Sequence, residues 1–459
     1  MVFSSAIFLF IFLPITLAMY FVCHTKYRNI WLLLASLFFY SWGEPVYILL
    51  MLASITLNYF FALGIGHFQY KTKSKLPKII LIFSVICNLA GLIYFKYWGF
   101  LIGNLNDMFS LNLPLKEIAL PIGISFFTFQ AMSYVIDVYR KDASVQKNIL
   151  NLGLYIALFP QLIAGPIVRY VDIETQILNR THTWEKAYDG IRLFVIGFCK
   201  KILIADQLAL LSDSVFAASS LSAPTAWIGA IAYSLQIYFD FSGYSDMAVG
   251  IGKVFGFEFV NNFNYPYISK SIKEFWRRWH ISLSTWFRDY VYIPLGGSRC
   301  KPFRSYLNLI IVFFLTGFWH GASWNFIVWG LYYAVFLVLE RLFLSKWLGK
   351  LPSLFQHFYA IFIIIIGWVF FRANDLPAAL TFLKSMFVFN GSSIAQLLTF
   401  INKKYLLCLF VGALLSIPWL KKLNERFRIL FDIFLIILFI LAIAYMLGSG
   451  FSPFLYFRF

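Results

Sequence analysis

Twenty consecutive residues, Ile311 to Gly330, carry no formal charge, and apolar runs of comparable length recur from Val2 to Ala444. A helix of about 20 apolar residues is what crosses a ~30 Å hydrocarbon core, and no soluble core absorbs run after run of that length. Composition agrees, with 61% of the 459 residues hydrophobic and only 13% charged, where a soluble domain carries about 25% charged residues. The expected fold is an all-α polytopic membrane protein of about a dozen hydrophobic segments. Soluble enzymes and disordered tails are excluded. So is a disulfide scaffold, because the cysteines (Cys23, Cys87, Cys199, Cys300, Cys408) are odd in number and form no C-x-x-C pair.

There are 38 Lys and Arg against 20 Asp and Glu, a net charge of +18. In a soluble chain that excess suggests nucleic acid. Here the basic residues lie in short loops between apolar runs, so they report topology and anionic lipid headgroups, and no nucleic-acid partner is expected. Lys26 and Arg28 follow the first run, Trp42 to Pro45 carries no positive charge, and Lys71, Lys73, Lys75 and Lys78 follow Gly66. The loop from Gly99 to Leu115 is again free of Lys and Arg, and Arg140, Lys141 and Lys147 come next. This alternation places the N-terminus outside and the basic loops in the cytoplasm. Lys421, Lys422, Arg426 and Arg428 before the last run place the C-terminus outside as well. Met1–Val22 has no basic n-region, and Val22 before Cys23 is too large for lipoprotein cleavage, so it reads as a retained first helix. Asn151 to Val168 and Ile268 to Pro294 are interrupted by Pro, Gly or charge, which predicts broken or re-entrant helices lining a cavity. With no linker and no visible repeat, residues 1–459 read as one membrane-embedded domain.

Two segments carry candidate chemistry. From Ile268 to Tyr290, the residues Ile272, Phe275, Trp276, Trp279, Leu283, Trp286, Phe287 and Tyr290 recur at helical spacing. Lys273, Arg277, His280, Ser284 and Arg288 recur on the opposite side. The spacing predicts one amphipathic helix, serving either to hold anionic lipid at the interface or as a basic funnel guiding a phosphate-rich donor toward His280. The second segment is the uncharged run, where His320 is the only ionisable side chain. An ionisable group at such depth marks a functional site facing the bundle interior, and an imidazole titrating near neutrality suits a general base. The alternative is a structural histidine bonded to a neighbouring helix. Asp240 and Asp246, in YFDFSGYSDM, read either as polar groups of the cavity or as a hydrogen-bonded helix break. Nucleophile-elbow, H-E-x-x-H, Walker and dinucleotide patterns are absent, and no metal-ligand spacing occurs.

The segments FWRRWHISLSTWFRDYVYIPLGGSR (Phe275 to Arg299) and LTGFWHGASWNFIVWG (Leu315 to Gly330) closely resemble the membrane-bound O-acyltransferase family. The branch they are similar to contains the alginate and peptidoglycan O-acetyltransfer proteins and the teichoic-acid D-alanyl transfer protein. Leu120 to Arg140, Phe159 to Arg169, Tyr238 to Gly252 and Gly367 to Ala373 extend the likeness along the chain. It implies a ring of helices around a thinned centre with a tunnel between the two faces, in a bacterial cytoplasmic membrane. The family's hallmark histidine falls on His320 and its second functional histidine on His280. Lys273, Arg277 and Arg288 are then donor-binding, with Asp240 and Ser284 as supporting polar groups of the tunnel. No bound cofactor is expected, and the donor substrate is a cytoplasmic thioester, acetyl-CoA or an acyl-carrier thioester. The acceptor is extracytoplasmic polysaccharide, reached with an SGNH-type acetyltransferase partner. The intact VYIPLGGSR (Val291 to Arg299) favours O-acetylation over D-alanyl transfer. A transporter or flippase is the competing class, since broken helices and midplane polar groups also serve transport. The last six residues, FLYFRF, resemble the C-terminal motif of the small partner peptide in the D-alanyl system, which suggests that Tyr456 relays the acyl group. Read without that likeness, the same aromatics form an interfacial belt.

Overall fold

A computed structural model describes residues 1–69, 74–116, 118–163, 165–388, 393–419 and 427–449. The chain folds into two compact units, Met1–Phe194 with Met247–Val260, and Val195–Asp246 with Asn261–Phe459. The described residues are helices and connecting loops, without β-strands.

The first unit contains α1 (Phe8–Val22), α2 (Arg28–Ser41), α3 (Ile48–Gln69) and α4 (Leu76–Phe109). They are followed by α5 (Ile124–Arg140), α6 (Ile149–Ala157), α7 (Phe159–Leu162) and α8 (Tyr170–Leu178). Helices α3, α4 and α5 pack on one another, and α2 packs on α6. The expected break after Asn151 is present. The Asn148 side chain caps α6 by accepting the Leu150 N–H, and Leu158 then turns the chain into the single turn of α7 with Pro160 at its start. Every residue from Asn151 to Ile163 is buried inside this unit. That is where interrupted backbone is tolerated at membrane depth.

Helices α9 (Trp184–Cys199) and α11 (Ala223–Val254) contribute residues to both units. The rest of the second unit is α10 (Asp206–Phe216), α12 (Ile272–Arg278), α13 (Ile281–Phe287), α14 (Pro302–His320), α15 (Trp324–Leu348) and α16 (Ser353–Arg372). It ends with α17 (Leu376–Phe387), α18 (Ser393–Phe400), α19 (Lys403–Leu415) and α20 (Arg428–Ser449). Six helices among the described residues (α3, α4, α14, α15, α16 and α20) are long and apolar enough to cross a membrane, and a seventh span counts if the pair α18–α19, bent by 89°, is taken as one. The other apolar segments are shorter, are broken, or, as with the 32-residue α11, are less apolar.

The most extensive packing in the second unit is the hairpin of α14 and α15. It depends on two glycines. A Cβ on Gly317 would run into the Phe326 carbonyl oxygen, and one on Gly330 into the Phe313 carbonyl oxygen, while lying 3.2 Å from the Gly317 Cα. Small residues at such a crossing let two backbones approach closely enough to pack without a hydrophobic driving force.

Candidate active site

Ile268 to Tyr290 is not one continuous helix. Ser271 caps α12 by accepting the Glu274 N–H at 3.1 Å, and the helix ends at Arg278. Trp279 is extended and His280 is left-handed (φ 43°, ψ 55°), after which α13 starts again. At about 1.5 Å per residue, these seven-residue helices are too short to span a bilayer. The break is held from outside by Asn262, whose carbonyl accepts the Ile281 N–H at 3.0 Å and whose Oδ1 accepts the Ser282 N–H at 3.2 Å. Left-handed backbone is uncommon for a residue with a Cβ, so this contact set over-determines a strained position.

The break corrects the expected charged face. Lys273, Arg277 and Arg288 are exposed as on a surface helix, but His280 is turned away from them and is only 1% exposed. Ser284, one turn later, is half-buried, and its N–H donates to the His280 carbonyl at 3.0 Å. Arg288 pairs with Asp289 at 2.6 Å. Loss of water holds the pKa of His280 down, to about 3, so the ring is neutral at physiological pH.

His320 is the last residue of α14 and is 4% exposed. Its ring lies among Trp319 (4.9 Å between centroids), Trp329 of α15 (5.0 Å) and Phe371 of α16 (5.1 Å). The Trp319 indole also faces His280, at 6.2 Å, and Phe241 of α11 packs edge-on against His280 at 4.7 Å. Two imidazoles 40 positions apart in sequence thus meet one indole, inside a wall of aromatic rings. Trp329 is fully buried, and its Nε1–H has no hydrogen-bond acceptor among the described residues. A buried donor left open inside such a wall is available to an oxyanion.

Asp240 sits within the unbroken helix α11, so it does not mark a break. Its carboxylate and that of Asp206 each lie 2.7 Å from Lys201 Nζ, and Lys200 reaches Asp246 at 2.6 Å. Lys201 and Asp240 are both 3% exposed. These two consecutive lysines open the π-helical turn Lys200–Ala205. Among the proposed polar groups, Asp240 is therefore engaged with Lys201, while its neighbour Phe241 is what touches His280. Tyr456 lies outside the described residues.

Asn262, Lys201, Trp329 and Glu340 had no local signal in the sequence. Glu340, at the turn that continues α15, accepts the N–H groups of Ile272 and Lys273 at 2.6 and 3.0 Å and so fixes the start of α12.

The MBOAT, membrane-bound O-acyltransferase family, profile matches residues 115–371, a stretch that holds both histidines. The chain belongs to the membrane-bound O-acyltransferase family. It is 44% identical over 418 residues to a Pseudomonas aeruginosa protein named "Probable alginate O-acetylase AlgI", covering 90% of this chain and 79% of that one. It is 38% identical over 433 residues to the "Peptidoglycan O-acetyltransferase" of Helicobacter pylori, covering 86% and 82%. The "Teichoic acid D-alanyltransferase" of Bacillus subtilis is 31% identical over 307 residues, covering 63% of this chain and 75% of that protein. The chain is a multi-pass membrane O-acyltransferase, and the site around His280 and His320 is its candidate active site.

Proposed function

We propose that this O-acyltransferase takes an acetyl group from a cytoplasmic thioester, acetyl-CoA, and delivers it outward for O-acetylation of an envelope polysaccharide, alginate-like or peptidoglycan. The observation that carries the reading is the pair of buried imidazoles that both meet Trp319, one of them at the end of a membrane-length helix. Identity to the two O-acetyltransfer relatives, higher than to the D-alanyltransferase, supports an acetyl group.

The chemistry follows from the residues present. The acceptor hydroxyl oxygen attacks the thioester carbonyl carbon while His320 takes its proton as general base. The Trp329 N–H steadies the oxyanion of the tetrahedral intermediate. That intermediate collapses by breaking the C–S bond, and the proton held by His320 passes to the thiolate sulfur, which leaves as free thiol. His280, neutral and fixed by Asn262, orients the reacting groups. Lys273 and Arg277, exposed on α12, attract the donor phosphates. Tyr456 is the first acceptor, because a phenol of pKa about 10 forms an ester of high transfer potential. From Tyr456 the acetyl group passes to the serine of an extracytoplasmic SGNH-type partner. The location is the bacterial cytoplasmic membrane, with both termini outside and the basic loops inside.

The test uses the purified protein in proteoliposomes with acetyl-CoA radiolabelled in the acetyl group. Release of free CoA with label retained on protein or acceptor supports transfer. Intact acetyl-CoA moving across the bilayer without CoA release would make the chain a transporter.

A further inference from the structure

The first unit holds a cationic cluster that the reaction above does not use. Tyr20, near the C-terminal end of α1, is fully buried. Its hydroxyl donates to the Phe255 carbonyl at 3.1 Å, accepts the Arg180 Nε–H at 3.3 Å and lies 2.9 Å from His182 Nε2. The Arg28 guanidinium lies 5.1 Å from the Tyr20 ring and that of Arg180 6.0 Å from it. Three groups able to carry positive charge therefore converge on one phenol.

Among the described residues no carboxylate comes within ion-pair distance of Arg28, Arg180 or His182, and the nearby acid Glu258 is held by Lys186 at 2.7 Å. Arg180 donates, among the described residues, to neutral oxygens, those of Gln176, Ile177 and Asn29 besides Tyr20, and its guanidinium lies 4.5 Å from the Phe257 ring. Arg28 Nε is buried and has no acceptor among the described residues. Buried donors are ordinarily satisfied, so Arg28 Nε has room for a partner such as water, an ion or a ligand oxygen. Burial together with Arg28, Arg180 and Lys186 also holds the His182 pKa below its usual value, as expected where positive charges crowd without a counter-charge. The cluster is built to approach this closely, because Gly256 (φ +86°) leaves a space in which a Cβ would lie 3.2 Å from both Arg180 Cβ and His182 Nε2. His182 is exposed, so the cluster is open to a ligand.

We propose that Arg28, Arg180 and His182, gathered on Tyr20, form a binding site for a phosphate group. The Arg28 guanidinium makes no hydrogen bond among the described residues and can match phosphate oxygens two at a time, which a point charge does not, while Arg180, its donors already engaged, adds positive charge beside it. The site lies near the C-terminal end of the apolar helix α1, followed by Lys26 and Arg28, and a basic flank of that kind attracts anionic headgroups. The phosphate comes from one of two sources, an anionic phospholipid or a nucleotide-type donor such as CoA. The site itself does not rest on the assignment of donor or acceptor above.

Arg28→Gln tests it, because Arg28 makes none of the hydrogen bonds that fix Arg180. The full-length protein is placed in nanodiscs of phosphatidylcholine, with or without phosphatidylglycerol, and bound lipid is counted by native mass spectrometry. In parallel, free CoA is titrated into the phosphatidylcholine nanodiscs. Charge-assisted hydrogen bonds to one phosphate predict a loss of about 10- to 100-fold in affinity for the true ligand. Loss confined to phosphatidylglycerol assigns the site to lipid, and loss confined to CoA assigns it to the donor. If Arg28→Gln fails to give monodisperse protein, Arg28→Lys carries the test, keeping the charge and weakening binding less. Unchanged retention of phosphatidylglycerol together with unchanged CoA affinity would overturn the site, as would failure of the native protein to bind either.

Discussion

Replacing Trp329 by Phe separates a catalytic donor from a packing residue, because the first role predicts a loss of activity and the second a loss of stability. Trp329 is fully buried against His320, Trp276, Tyr333 and Phe371, yet its Nε1–H meets no acceptor among the described residues. An unsatisfied buried donor costs about 1–3 kcal/mol, and Phe removes it while keeping an aromatic ring. The smaller ring leaves a void that costs a comparable amount, so the net change in stability lies within about 1–2 kcal/mol of zero. Activity behaves differently. If the N–H steadies the oxyanion, its loss removes about 10²–10³ of kcat, the usual effect of deleting one such donor. The assay is single-turnover CoA release from acetyl-CoA by the purified variant, alongside its thermal unfolding midpoint. A variant with a midpoint several degrees lower and native kcat would refute the reasoning, since Trp329 would then be only a packing residue.

The remaining predictions concern the hairpin, the second histidine and the chain end. Gly330→Ala drives a Cβ into the Phe313 carbonyl oxygen, a backbone atom that cannot rotate away, so it should cost about 1–3 kcal/mol and lower activity by displacing His320; an unchanged unfolding midpoint would contradict the close crossing. His280 has a folded pKa below its unfolded value of about 6.5, so the stability it contributes is intact above that pH and is lost as pH falls toward the folded value of about 3; His280→Phe should flatten the acid limb of a stability–pH profile, and an identical limb would show that His280 is not held neutral. Tyr456→Phe keeps the ring and removes the nucleophilic oxygen, so it should abolish O-acetylation of polysaccharide while leaving the protein inserted; normal O-acetylation would leave Tyr456 an interfacial anchor.

What the sequence made legible is what depends on local composition. The uncharged run Ile311 to Gly330 announces apolar helical segments but is not one span: α14 ends at His320 and α15 starts at Trp324, so the run is the turn of a hairpin and His320 stands at a helix end, not at the middle of a helix. The turn at His280 was not legible. No Gly or Pro stands at 279–280, and the spacing of Lys273, Arg277, His280 and Ser284 fits an uninterrupted helix. What bends the chain is Asn262, a partner 18 positions upstream, whose two hydrogen bonds redirect His280 inward and leave the cations outside. Asp240 fails to read for the same reason. Its lysine lies 39 residues earlier, in the π-helical turn Lys200–Ala205, a separation at which sequence gives no pairing signal. Trp329 read as one more aromatic of a span, since an orphaned N–H is visible only once its surroundings are known.

In the proposed mechanism His320 is the base of acyl transfer, and CoA release by His320→Ala measures that role. The variant should insert and remain monodisperse, because one imidazole among Trp319, Trp329 and Phe371 is not what holds α14 to α15. Its acetyl-CoA-dependent release of CoA should fall by about 10²–10⁴, the usual worth of a general base. A well-folded His320→Ala protein that releases CoA at the native rate would contradict the assignment.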